Sequence, residues 1–200
     1  MKFLCGSILA AMMALVLFSS CTVRYSRTMS GYEETERQTL KRIMILTQGP
    51  PLDEKTAKLL RAVIRDFVSH HNEYILYPKA LNPALSVVDH CAAEKMDGIL
   101  VANIVRLNRV KDEVEFAVES SLISCRDQSK VWEAYGANTY PAYDSDLFTI
   151  RMSYRNRFGS DVEHLVGAFY QLLRRLYGDL PVPVLTPDDV DLKIDVDSMD

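Results

Sequence analysis

Catalytic signatures are what this chain of 200 residues lacks most clearly. It contains no Gly-x-Ser-x-Gly, no His-Glu-x-x-His and no phosphate-binding loop. Gly49-Pro50-Pro51 follows an apolar run but lacks the glycine spacing that a dinucleotide needs. Glycine and proline number only eight each, which argues against a disordered or collagen-like chain. Positive charge is in deficit, with 23 basic against 27 acidic residues and a formal charge of −4. A nucleic-acid partner wants a clustered basic face, so that class is excluded. No apolar run reaches the roughly 20 residues that a membrane-crossing helix requires.

What is present begins at the amino terminus. Lys2 precedes an apolar stretch from Ile8 to Phe18, and Ser19-Ser20-Cys21 closes it. A charged residue, a short apolar segment and small residues in that order make a secretory signal. The run Leu17-Phe18-Ser19-Ser20-Cys21 resembles the lipobox of bacterial lipoproteins, with Phe18 where Leu is commoner. The resemblance implies that residues 1–20 are removed and that Cys21 is lipidated. Acyl chains add about 0.8 kcal/mol per buried methylene, so several on one residue hold a domain on a membrane stably. Thr22 follows the cysteine in place of Asp, which by the same resemblance implies the outer membrane, facing the periplasm. An uncleaved anchor and plain secretion are the rival readings. Loss of Lys2 with the leader moves the formal charge to −5.

The remaining 180 or so residues suit one domain with a real core. Residues 21–39 read as a polar, lipidated tether, and 40–180 as the folded unit. Residues 181–200 read as an acidic tail, with six Asp against one Lys after Pro187. Arg42–Thr47 has the near-continuous apolar character of a strand buried on both faces. Asp53 offers a helix cap, and Leu60, Val63, Ile64, Phe67 and Val68 form one stripe to about His71. Tyr74–Tyr77 is a second strand. Asn82-Pro83 reads as a helix start, with Leu85, Val88, Cys91 or Ala92, and Met96 facing inward. Residues 98–136 alternate as a three-stranded antiparallel meander. Leu147, Ile150, Tyr154 and Phe158 have helical spacing, and Ser160 with Glu163 suggests a capping box for a final helix ended by Gly178. The expected fold is α/β, a mixed sheet of about five strands in the order β-α-β-α-β-β-β-α, with helices packed on it.

That order, the segment Cys91–Ile104 and the run Val131-Trp132-Glu133-Ala134 resemble three periplasmic domains. They are those of the curli secretion channel lipoprotein, of LpoB and of the TolB amino terminus. The likeness covers residues 40–178 and is one of pattern and order. It implies an envelope lipoprotein module. The extra hairpins of the curli channel are missing, so pore formation does not carry over.

Few residues stand out as site candidates. Arg151, Arg155 and Arg157 are a cluster suited to lipid phosphates or an acidic partner, or else a solvated face balanced by Asp144, Asp146 and Asp161. Tyr135, Tyr140 and Tyr143 read as an aromatic contact patch, with loop packing as the alternative. Cys91 and Cys125 are either two separate buried thiols, the plainer reading, or a disulfide that an oxidising exterior permits. His70, His71 and His90 are the residues a metal-dependent hydrolase would have to use, but neighbours on a helix diverge and close no site. No metal and no cofactor is therefore expected. The reading favours a non-catalytic interaction module bound to membrane lipid through Cys21 and to an envelope protein. A structural homo-oligomer is the next alternative and a hydrolase the last.

Overall fold

The computed structural model describes residues 23–32, 36–49 and 52–198. Cys21 and the leader lie outside the described residues. The described residues form one mixed sheet of six strands: β1 (Val23–Thr28), β2 (Arg42–Gln48), β3 (Ile75–Leu76), β4 (Gly98–Val110), β5 (Glu113–Ser124) and β6 (Lys130–Pro141). Their spatial order is β1-β6-β5-β4-β2-β3. Strand β2, between β4 and β3, runs parallel to both, because helices connect them; the other neighbours are antiparallel.

The helices are α1 (Glu54–His71), α2 (Val87–Glu94), α3 (Phe148–Phe158), α4 (Glu163–Leu176) and α5 (Pro187–Asp197). Asp53 caps α1, its carboxylate accepting from the Thr56 amide at 2.8 Å. The expected stripe of α1 is buried, and α4 lies beside it on the same face of the sheet. Leu100, Phe116, Val118, Leu122 and Trp132 meet these helices in one core. Phe116 and Phe169 pack ring to ring at 4.7 Å. The Tyr177 hydroxyl, pushed up in pKa by burial, bonds Ser120 Oγ at 2.9 Å, and Ser120 donates to the Val101 carbonyl. The opposite face holds a smaller cluster, Met44, Leu46, Ile99 and Val101, under α2.

The structure corrects several expectations. Residues 23–28 are not part of a tether. They form the edge strand β1, paired with β6 and fixed by a Trp132 Nε1–H bond to Ser26 Oγ at 3.2 Å. Polar composition hid it, since Val23, Ser26 and Thr28 face the helices while Tyr25 and Arg27 face out. Tyr32 is fully buried, its hydroxyl 3.3 Å from that of Tyr74. The acidic tail is also ordered. Thr186 and Asp189 form a capping box, and Pro187 opens α5. Lys41 Nζ lies 2.6 Å from Asp189, Lys193 donates to Ser69, and Val196 is buried. These contacts hold the acidic segment against the domain.

Other boundaries move for local reasons. Ser86 and Asp89 make a capping box, so α2 starts there and Asn82 only closes a turn. Leu85 and Val88 are consequently exposed, while Val87, Cys91 and Met96 pack on the sheet. Cys91 and Cys125 are not separate thiols: they form a disulfide, with Cα atoms 5.2 Å apart. Periodicity placed them on different elements but could not give the distance. Glu163 caps nothing, because arginines engage its carboxylate.

The disulfide joins residues 34 positions apart and encloses the last turn of α2 with β4 and β5. Cys91→Ser/Cys125→Ser should cost about 3–4 kcal/mol, read as a lower urea midpoint that reductant does not change further. Lys41 and the Thr186 bonds hold the Asp189 carboxyl down at about 2, below the ordinary 3.8. A depressed carboxylate stabilises the fold above its unfolded pKa and loses that contribution on acidification. The α5 contribution should therefore be complete above about pH 4 and fade towards pH 2, and Asp189→Asn should flatten that limb of the stability curve.

Candidate interaction surface

Ala142 is buried beyond the end of β6, and its amide donates to the Asp112 carbonyl at 2.7 Å. This bond places Tyr143 beside the β4–β5 turn. Asp144 then caps a short turn, accepting from the Asp146 amide at 2.9 Å, and Gln171 of α4 donates to the same carboxylate at 3.0 Å. The turn delivers Phe148 to the start of α3.

Arg151 projects into the space between these elements. Its guanidinium carbon lies 5.2 Å from the Tyr143 ring centre and 5.7 Å from that of Phe148. Nε donates to Glu163 at 2.9 Å and Nη1 to the Asp144 carbonyl at 3.3 Å. The Arg151 side chain is 13% exposed, so it is an internal cation that orders the loop. Tyr143 and Phe148, in contrast, are 52% and 56% exposed. Two outward aromatics on a fixed arginine make a preorganised contact patch, of the composition that dominates protein interfaces. An open groove of about 370 Å³, lined in part by Asp146, Tyr170 and Arg174, runs beside it.

The candidates named from sequence separate here. Tyr143 and Arg151 come together. Tyr140 does not join them: it lies in β6 opposite Val114 of β5 and is buried, so it belongs to the core and not to an exposed patch. Arg155 shares Glu163 at 3.3 Å and keeps a half-exposed charge. Arg157 lies over the Tyr154 and Phe158 rings and 3.4 Å from Asp66. Burial and the bond to Asp66 push the Tyr154 hydroxyl well above its ordinary pKa, so it stays a donor. Tyr135 lies on the other side of the sheet, stacked on Tyr25. Phe148 was missed as a contact residue because its neighbours read only as a helical core stripe.

The histidines do not converge. His70 and His71 bond carbonyls of their own helix α1, whereas His90 bonds the Asn82 carbonyl at 2.8 Å from the other face of the sheet. Among the described residues, no group of three His, Cys, Asp or Glu is placed to hold a metal ion. Among the same residues, no helix is long and apolar enough to cross a membrane.

No family model and no curated protein sequence matches the chain. Solved structures do. PelC from Paraburkholderia phytofirmans, solved as a dodecamer, matches 80% of this chain and 99% of its own, with 13% identity and a TM-score of 0.52. The chain is similar to PelC in fold. Lipoprotein GNA1162 from Neisseria meningitidis covers 58% of this chain and 96% of its own, at 13% identity and a TM-score of 0.42. The LpoB C-terminal domain from Salmonella enterica, one of the resemblances drawn from sequence, is also matched, over 54% of this chain and 88% of its own, at 10% identity and a TM-score of 0.36.

The roles assigned to the two arginines separate on mutation. Arg151→Ala leaves Glu163 short of its main partner in a nearly buried setting, and should cost about 2–3 kcal/mol by urea unfolding. Arg155→Ala, at a half-exposed pair, should cost less than about 1 kcal/mol.

Proposed function

We propose that this protein is a lipid-anchored, non-catalytic interaction module of the bacterial envelope. Cys21 carries the acyl chains, and the domain faces the periplasm from the outer membrane. Its exposed aromatics Tyr143 and Phe148, with the charge of Arg155 beside them, dock another envelope protein. The observation that carries this reading is the patch itself: large apolar rings held outward by an arginine that the fold has already neutralised. Such a surface needs no ordering on association, which lowers the cost of binding. The signal-like leader ending at Cys21 supports the location.

A second reading, assembly from copies of this chain, draws on the PelC fold, since that protein was solved as a dodecamer. The mass of the detergent-solubilised chain separates the two.

The leading reading is tested by crosslinking in the native host followed by recovery of the tagged full chain. Tyr143→Ser/Phe148→Ser should reduce recovery of a specific envelope protein at least tenfold without changing the unfolding free energy by more than about 1 kcal/mol. Undiminished recovery sinks the surface. Mass spectrometry showing residue 21 without acyl chains sinks the anchor.

A further inference from the structure

The position of β1 has a consequence for orientation. Cys21 stands two positions before Val23, where the edge strand begins. Two residues reach at most about 7 Å. The described domain thus starts almost at the anchoring thiol, and the tether expected over residues 21–39 does not separate them.

We propose that the edge strand β1 lies along the membrane surface, with Arg24, Tyr25 and Arg27 among anionic lipid headgroups. This rests on the reading of Cys21 as the lipidated residue. Three observations lead to it.

The first is length. Val23 pairs with Gly136, and β6 continues past that point to Pro141. The sheet therefore extends about 17 Å beyond the start of β1, in the direction of Cys21. A headgroup layer is only about 5–8 Å thick. An upright sheet would drive the β4–β5 turn some 10 Å past the anchoring residue, into hydrocarbon.

The second is the chemistry of that turn. The turn and the strand ends beside it carry Arg109, Lys111, Asp112 and Glu113. Ionised groups of both signs at that depth are strongly disfavoured. The sheet must therefore tilt, and the element tied nearest to the lipid comes down on the surface.

The third is what β1 offers. It is the last strand of the sheet, and it bears two cations and no acid. Tyr25 is 45% exposed and stacks on Tyr135, over which Arg24 lies at 5.9 Å. Arg27 pairs with Glu133 but leaves most of its side chain in solvent. Tyrosine and arginine suit a membrane–water interface, and a basic patch beside an acyl anchor supplies the second signal that firm attachment uses. At the opposite end of the sheet, α5 packs along β3 and exposes Ile194 among Asp191 and Asp195. That end faces away from anionic lipid.

The experiment uses the full chain made in a bacterial host and reconstituted into phosphatidylethanolamine–phosphatidylglycerol vesicles. Three single cysteines, Tyr25→Cys, Val110→Cys and Ile194→Cys, all at exposed positions, report on β1, the turn and α5. The native Cys91 and Cys125 are paired and do not compete. A membrane-impermeant maleimide should label Tyr25→Cys at least fivefold more slowly in vesicles than in detergent, with Ile194→Cys unchanged. Adding Arg24→Glu/Arg27→Glu should remove that protection. Strongest protection at Val110→Cys, or equal labelling at all three sites of an acylated, vesicle-bound chain, overturns the proposal. Protection of Tyr25→Cys in detergent that disappears on dilution means that a second copy covers β1, which also overturns it. A chain that carries no acyl group and floats free of vesicles fails the anchoring reading first, and the mass of residue 21 identifies that case.

Discussion

One face of the sheet must be covered completely, and the rest of the molecule follows from how that is done. β4, β5 and β6 carry Leu100, Phe116, Val118, Leu122 and Trp132 on that face, and α1 and α4 seal it. Burial on this scale is the dominant favourable term in folding. It also fixes the few polar groups inside. Ser120 and Tyr177 satisfy each other beneath α4, because an unpaired buried hydroxyl is costly. The second face is under no such demand. A short helix pinned by Cys91–Cys125 covers its β2–β4 half, and the β1–β6 half is left with tyrosines and charges.

This division places the surfaces open to partners. Once β6 has run its full length against β5, the chain turns at Ala142 and must return over the sealed face as α3 and α4. Glu163, at the start of α4, is thereby trapped close to α3 and needs cations. Arg151 and Arg155 supply them. The aromatic patch is a by-product of that neutralisation, since Arg151 reaches Glu163 through the gap between Tyr143 and Phe148. A residue that looks like a binding cation in the sequence is thus a support, and the rings beside it are the surface.

The amino-terminal strand gives the architecture its orientation. Because β1 pairs with β6, the start of the described chain is held at one edge of a rigid sheet and close to Cys21. Lipid attachment at such a point would constrain the whole domain, whereas a long coil would let it rotate freely. The match to PelC over nearly the whole of that chain extends the fold likeness beyond a single motif.

Much of the fold was legible, and the failures share one cause. The α1 stripe, the buried strand expected at Arg42–Thr47 and the alternating meander are written in local periodicity, and each forms, the meander running on to Pro141. β1 and α5 were misread as loose because their stabilising partners lie far along the chain: Trp132 for Ser26, Lys41 for Asp189. The same holds for the site. Arg151 and Tyr143 were visible as residue types, but Phe148 was not, and Tyr140 went the wrong way because one step along a strand separates core from surface. By itself the sequence determined the class of fold, since this depends on the periodicity of neighbouring residues. The tertiary structure alone decided the disulfide, the enclosure of Arg151 beside Glu163 and the formation of β1 and α5, because each is set by a distance between segments that no local pattern encodes.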